Sequence, residues 1–412
     1  MDFDFRAASP ADMDAFGELT AYAYGGAFGY GDDNLAQSAT RPEWTLCAFD
    51  GPRLAATYAT LPLTARANGN AVAMGGVTTV ATAPEYRRRG LLRALTTRAL
   101  AAQRDAGQSV AALWASQAAI YQRYGYTSAT AQIGYQIDSV DLQLLTPASE
   151  AMQVSRGAVA ELMPEIKAVY RSFIAERSLY LHRSGPLWQS NVFNDNAGTH
   201  PVRAALCRDA SGAAQGYVIY TLVDGRIDHR ARNQLLEVRD LAALDLDAYR
   251  ALWQFLGKHD LVGKISWQRA PLDDPLPELI AEPRLLHSQP HEGLWLRLVD
   301  IAAAFEARGY QSARSGYMTD GEISFSVGAD TLTPWNDGGY RLTVSNGIAE
   351  VARVSTATEF NIDRKHLASV WCGRHRLNTL ANWGLVSGDA GAINRADILL
   401  ATRTQPHCPD HF

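Results

Sequence analysis

Four cysteines, Cys47, Cys207, Cys372 and Cys408, are all that the 412 residues contain. They are scattered, with no CxxC pair, so a disulfide framework is excluded and reduced thiols of a cytosolic protein are expected. Apolar runs are short: none approaches the ~18 residues that a membrane span needs. The opening "MDFDFRAASPADMDAF" has no basic stretch and no apolar core, so no secretory signal is expected. Positive charge is not in excess either. The formal net charge is -5, which argues against sequence-independent nucleic-acid binding and favours a cationic small substrate. Histidine is missing from the first 180 residues, the first being His182. A catalytic base in the N-terminal part must then be another group. Together these absences leave a soluble, bacterial-type cytoplasmic protein as the expectation.

What is present is ordinary globular composition, 47% hydrophobic and 20% charged. At this length two or three domains are expected. "ASPADMDAFGELTAYAYG" opens a helix: Ser9 caps, Pro10 suits the first helical position and Asp12 sits in the first turn. After the loop "GGAFGYGDDN" come strand-like runs with "DG" and "NG" turns, which predict antiparallel hairpins. "EYRRRGLLRALTTRALAAQRDAG" has helical periodicity, with Leu91, Leu92, Leu95 and Ala99 on one face. A buried strand, "SVAALWAS", and a short helix, "QAAIYQRYGY", follow. Residues 1–153 thus read as one α/β (α+β) domain. A second, 154–290, repeats strand, connection and helix in "NQLLEVRDLAALDLDAYRALWQFLGKH". It lacks the arginine-rich, glycine-containing helix start, so it reads as a degenerate internal repeat. A third, 291–412, runs from "GLWLRLVDIAAAFEARG" through tightly turned strands to short helices ended by glycine, "DRKHLASVWCG" and "LNTLANWG".

The stretch "VTTVATAPEYRRRGLLRALTTRAL" carries the chemistry. A strand runs to Val80, Pro84 breaks it, and a helix starts around Arg88-Arg89-Gly90. The first N–H groups of a helix lack intrahelical partners and its dipole is positive there, so the geometry suits an anion. Gly90 lets a phosphate approach the backbone, and Arg87, Arg88, Arg89 and Arg93 add charge. Arginines at a helix N-terminus are otherwise unfavourable. A bound pyrophosphate would compensate them; a solvated basic run is the plainer alternative, and a DNA contact runs against the net charge.

This pattern resembles the acetyl-CoA-binding motif of the GNAT N-acetyltransferases, Q/R-x-x-G-x-G/A. Leu92 departs from it, standing where the last position is small. "RRRGLLRAL" is instead similar to one branch, the enhanced intracellular survival (Eis) family, and the resemblance spans essentially the whole chain, "SVWCG" and "LNTLANWG" included. It implies two tandem GNAT-type domains, the second degenerate, followed by a sterol-carrier-protein-like α+β domain. By the same resemblance Val80, Ala81 and Thr82 bind the acetyl-pantetheine arm. Arg88, Arg89, Gly90, Leu91, Leu92 and Arg93 hold the CoA pyrophosphate, Ser116 and Gln117 contact the cofactor, and Tyr121 is the catalytic tyrosine. The family's terminal carboxylate, here that of Phe412, returns to the N-terminal active site as base. The implied activity is acetyl transfer from acetyl-CoA to amines, of aminoglycosides in an antibiotic-resistance role or of lysine side chains, by a cytoplasmic homohexamer.

An amine must be neutral to attack a thioester, and lysine-like amines have a reference pKa of ~10.4. A phenol of pKa ~10 can protonate the departing thiolate, the role open to Tyr121. Tyr121 falls within about a turn of the strand end at Ser116; packing is its alternative role. Tyr124 competes with it, and Tyr126 starts the next strand and is expected to pack. Asp32, Asp33 and Glu85 are carboxylates near the expected cleft. An α-carboxyl, reference ~3.5, is a poor base unless burial raises it or a water relays the proton, so an electrostatic role for Phe412 stays open. Phe28, Tyr30, Asp32 and Asp33 offer aromatic walls and carboxylates to a polycationic amine, or form an ordinary surface loop. In the tail "HCPDHF", His407, Cys408, Asp410 and His411 are capable metal ligands. Four ligands within five residues, split by Pro409, rarely close around one tetrahedral ion. No metal is expected, and the tail is expected to dock in order. A lipid carrier built on the third domain is the non-enzymatic alternative, but it leaves "RRRGLLR" without a use.

Overall fold

The computed structural model describes residues 3–26, 40–194, 200–225, 232–312, 317–318 and 320–412. The chain divides into two units. One holds Met1–Thr130, Arg177–Pro186 and Gly293–Phe412; the other holds Ala131–Glu176 and Leu187–Glu292.

The first sheet contains β1 (Asp4–Arg6), β2 (Cys47–Asp50), β3 (Arg53–Ala67), β4 (Asn70–Thr82), β5 (Val110–Leu113), β6 (Thr127–Ser128) and β14 (Trp295–Leu298). Their order across the sheet is β1-β2-β3-β4-β5-β14-β6. The expected "NG" hairpin joins β3 to β4, with Asn68 and Gly69 both at positive φ, +48° and +103°, as a tight hairpin turn demands. The helix Leu91–Asp105 crosses from β4 to its parallel neighbour β5 and buries Leu91, Leu95, Ala99 and Leu100 on Ala48, Tyr58, Val77 and Leu113.

The second sheet contains β7 (Ala131–Asp138), β8 (Gln153–Gly157), β9 (Arg203–Arg208), β10 (Ala214–Val223), β11 (Gln234–Ala243), β12 (Val262–Pro271) and β13 (Gln289–Glu292). It repeats the crossover: the helix Leu246–Gly257 links β11 to the parallel β12. Tyr249, Leu252 and Trp253 of that helix fill the core with Trp267. Here the helix start is closed by its own carboxylate, since Asp245 accepts the Ala248 N–H at 2.7 Å.

The strands flanking these repeats pair out of chain order. β14 lies between β5 and β6 in the first sheet, and β7 lies between β12 and β13 in the second. The expected cuts at 153 and 290 therefore fall after β7, a strand of the second sheet, and before β14, a strand of the first. Local periodicity marks both as strands and says nothing of their partners.

Beyond β14 a five-stranded sheet runs in the order Ile348–Val354, Gly338–Ser345, Gly321–Val327, Phe360–Ile362, Val386–Gly388. Rings of Phe305, Phe325, Tyr340 and Phe360 stack through its core at 5.4–5.9 Å between centroids. Arg308 is buried beneath the ends of two helices, Arg364–Cys372 and Ala390–Leu399, and donates to the Trp371 and Leu400 carbonyls. A cation at helix C-termini satisfies carbonyls that the helices cannot.

Arg297 of β14 is also buried. It donates to the Tyr124 carbonyl, pairs with Asp330 and reaches the Thr333 hydroxyl at 2.8 Å. Burial disfavours the Asp330 carboxylate, but Arg297, the Leu332 N–H and Arg364 together outweigh it and hold the group below its usual range. Removing Arg297 leaves the buried Asp330 carboxylate with only Arg364, at 3.3 Å, as an ion-pair partner, and leaves the Tyr124 carbonyl without this donor. Arg297→Met is expected to destabilise the protein by about 3–5 kcal/mol in urea unfolding. The second unit supplies a pH test. Burial pushes the Asp274 carboxyl up to about 7, against the hydrogen bonds it accepts from Tyr249 and the Leu276 N–H. A raised folded pKa means that its stabilising contribution is complete below about pH 4 and is lost as pH rises through about 7. Wild-type stability should accordingly fall relative to Asp274→Asn across that window, followed by tryptophan fluorescence.

Candidate active site

β4 and β5 pair only at Met74–Val110, Gly75–Ala111 and Gly76–Ala112. Past Gly76 the two strands separate, and among the described residues that edge of β4 has no strand partner. A bulge adds to the opening: Thr79 and Val80 together face Tyr58 of β3, and Thr79 sits at φ +50°. A β-branched residue there is strained, by about 1–3 kcal/mol. The fork opens into a cleft of about 750 Å³.

β4 lines the cleft with Val80, Ala81 and Thr82. The turn into the next helix adds Arg87, Arg88, Gly90, Leu91, Leu92 and Arg93. Gly90 stands at φ +79° just before Leu91, and a Cβ there would meet no atom within 4 Å. Glycine is therefore required by the backbone angle, while the space over it stays open. The helix's first hydrogen bond is Ala94 N–H to the Gly90 carbonyl at 3.0 Å. The N–H groups of Leu91, Leu92 and Arg93 precede it, at the positive end of the dipole. Arg93 also donates to the Thr331 hydroxyl at 2.8 Å. Arg89 is the exception among the anticipated cationic residues: it is not in the cleft wall, and its guanidinium lies over the Tyr86 ring at 5.3 Å.

Opposite β4, the chain leaving β5 supplies Ser116, Gln117 and Tyr121 to the same cleft. Tyr121 is 7% exposed, and burial raises its pKa well above the ordinary value, against a hydrogen bond with Ser116. The phenol is neutral and protonated throughout the physiological range. Tyr126 is fully buried, packs edge-on against Tyr121 at 6.1 Å, and is pushed up to about 12 by burial. Tyr124 lines the cleft, and Arg297 grips its carbonyl from below. Gly125, at φ +76°, follows because a Cβ would strike the Arg297 guanidinium.

Sequence reasoning missed Tyr24. It ends the helix Met13–Tyr24, lines the cleft and donates to the Val80 carbonyl at 3.1 Å. Arg123 also lines it. No local pattern marks either residue; both are brought in by packing. Glu85 is exposed on the turn before the helix and is not in the cleft wall. Phe28, Tyr30, Asp32 and Asp33 lie outside the described residues.

The tail returns to the fork. Pro406 to Asp410 are buried, and the Trp114 indole N–H, just past β5, donates to the Asp410 carbonyl at 3.1 Å. The His411 ring stacks on Trp114 at 3.8 Å. Phe412 lies against Gly76 at the fork's apex: a Cβ there would come within 3.0 Å of its ring. The metal-like side chains face different partners. Asp410 pairs with Arg183 at 2.7 Å, Cys408 donates to the Asp410 carbonyl, and His407 packs on Tyr180. Among the described residues no group of three or more His, Cys, Asp or Glu is arranged to hold a metal ion. No helix among them is long and apolar enough to cross a membrane.

The cleft fits a long anionic thioester cofactor: open helix amides and arginines at one end, an unpaired strand edge along its length, and a neutral phenol at the other. Known proteins agree with that chemistry. An acetyltransferase (GNAT) domain family matches residues 4–129, a second one matches 179–298, and a sterol carrier protein domain family matches 301–409. The chain is 32% identical to the N-acetyltransferase Eis of Mycobacterium tuberculosis over 79% of this chain and 78% of that protein. It is 31% identical to an uncharacterized N-acetyltransferase of Streptomyces avermitilis over 90% of this chain and 89% of that one. The crystal structure of Eis1 from Mycobacterium abscessus superposes with a TM-score of 0.82 at 29% identity, covering all of both chains. A family with two GNAT domains and a sterol-carrier domain uses acetyl-CoA, and this chain belongs to it: it is an Eis-family GNAT N-acetyltransferase.

Proposed function

We propose that this enzyme transfers the acetyl group of acetyl-CoA to amines of a polycationic small molecule, of aminoglycoside type, by direct attack within a ternary complex. The observation that carries this reading is the cleft, where a parted strand edge, the Gly90 helix start and the Tyr121 phenol meet. In this reading the Leu91, Leu92 and Arg93 amides, with Arg88 and Arg93, hold the pyrophosphate. Val80, Ala81 and Thr82 orient the pantetheine arm along the free edge of β4. Backbone N–H groups of that edge stabilise oxyanion charge. Ser116 and Gln117 line the thioester end. Tyr121 donates its proton to the departing thiolate; the thiol so formed, reference pKa ~8.5, is a stronger acid than the phenol, so the transfer runs uphill and is completed when the tyrosinate regains a proton from water in the open cleft.

The Phe412 carboxylate is the proposed acceptor side of the reaction. It is anionic at neutral pH by its reference pKa of ~3.5, so it attracts the ammonium; as a weak base it acts by relaying the proton through water or by electrostatics alone. The seating of Phe412 at Gly76 supports the assignment. The net charge of -5 supports a polycationic partner, as do Asp32 and Asp33, which follow the cleft-lining Tyr24 in sequence. Family membership supports a cytoplasmic homohexamer.

A thiol-release assay with acetyl-CoA and a panel of aminoglycosides and lysine peptides tests the reading. Turnover is expected on aminoglycosides; a lysine peptide that outpaces them all would reassign the substrate. Tyr121→Phe should lower kcat by about 10²–10⁴ and leave the Kd of CoA unchanged. Because burial raises the Tyr121 pKa, its ionisation should not limit kcat below about pH 10. Gly90→Val should weaken CoA binding by about tenfold or more in calorimetry, since a β-branched residue at that angle costs about 1–3 kcal/mol. Deleting Phe412, or extending the chain beyond it, should collapse turnover while CoA binding persists.

A further inference from the structure

The segment Arg177–Pro186 stands apart from its neighbours in sequence. The chain on both sides of it, to Glu176 and from Leu187, belongs to the unit of the second sheet, while these ten residues belong to the unit of the first. They form a strap along β3, on an edge where β2 pairs only with Arg53 to Ala56. Leu179 N–H donates to the Arg66 carbonyl at 2.7 Å, Arg66 N–H to Tyr180 at 2.9 Å, and His182 N–H to Thr64 at 2.8 Å.

The strap also grips the tail. His407 N–H donates to the Ser178 carbonyl at 3.0 Å, and the Tyr180 ring lies 5.3 Å from that of His407. Arg183 Nε donates to Asp410 Oδ1 at 2.7 Å, with side chains 1% and 0% exposed. Burying two charges is costly, and apolar packing would hold a tail as firmly; what a buried, directional ion pair adds is a unique register. Asp410 is two residues from Phe412. Arg183 holds the Asp410 side chain and Trp114 its carbonyl, and two residues on the Phe412 ring lies at Gly76.

We propose that the strap Arg177–Pro186, acting through the Arg183–Asp410 pair, positions the Phe412 carboxylate at the β4/β5 fork, and that Arg183 is a positioning residue for acetyl transfer. The inference rests on the reading that this carboxylate takes part in the reaction. It gives a role to the chain excursion that leaves the second unit and returns to it.

The test uses the full-length enzyme with three readouts: kcat on the best amine, the Kd of CoA, and the rate at which carboxypeptidase releases Phe412, followed by mass spectrometry. Arg183→Met is expected to lower kcat by about 100-fold, since a 1 Å misplacement costs about that much. The Kd of CoA should hold, and Phe412 release should quicken. Asp410→Asn, nearly isosteric, should do the same and carries the test alone if Arg183→Met does not fold. Arg183→Lys should recover part of the rate. A folded Arg183→Met or Asp410→Asn enzyme with full kcat and a protected terminus overturns the role of the strap. Extension beyond Phe412 separates the two readings. If the extended enzyme keeps full rate, the carboxylate has no part in the reaction, and the proposal fails with it. If extension abolishes turnover while both ion-pair variants keep it, only the role of the strap fails.

Discussion

The site depends on one constraint: two neighbouring parallel strands that stop pairing halfway. Buried backbone N–H and C=O groups must find partners, so a strand edge that opens inside a sheet is costly unless something else meets it. Here the pairing of β4 and β5 ends at Gly76 and Ala112, and the bulge at Thr79 turns the next residues toward the gap. What meets the open edge comes from three separate places. Tyr24 donates to Val80, the Arg-rich turn closes one end, and the tail seats Phe412 at the apex. An acetyl-CoA-sized molecule has the right groups to complete the set.

The second sheet shows how little separates a binding crossover from a structural one. Both have strand, helix and parallel strand in the same order. In the first, the helix starts after a glycine at positive φ, with open space above it and arginines around it. In the second, the Asp245 carboxylate already caps the Ala248 amide. A carboxylate supplied by the chain competes there with any external anion. The degeneracy is thus electrostatic as well as compositional, and it concerns a single turn.

Buried arginines recur wherever irregular chain has to be held. Arg297 fixes the turn at Tyr124, Arg308 collects carbonyls from two helix ends, and Arg183 anchors the tail. Each guanidinium offers several donors in a fixed plane, which suits carbonyls and carboxylates that no regular element satisfies. The second unit's Asp274 is the opposite case, a buried carboxyl held by tyrosine and backbone donors, and burial raises its pKa.

How much was legible in advance follows the range of each interaction. Helix caps, hairpin turns and positive-φ glycines are set by a few consecutive residues. The Asn68–Gly69 hairpin, the Gly90 helix start and the nearness of Tyr121 to the end of β5 could all be read from short stretches. So could the repeated crossover, because each copy is contiguous. Partner choice is different, since identical backbone rungs form between any two compatible strands. The places of β14 and β7, the strap at Arg177–Pro186 and the arrival of Tyr24 in the cleft were decided only by the packed chain. The tail lies on the border. Its sequence offered six residues rich in possible ligands; tertiary structure gave Asp410 to Arg183, His411 to Trp114 and Phe412 to Gly76, because burial lets each group keep only the partner that packing brings within reach.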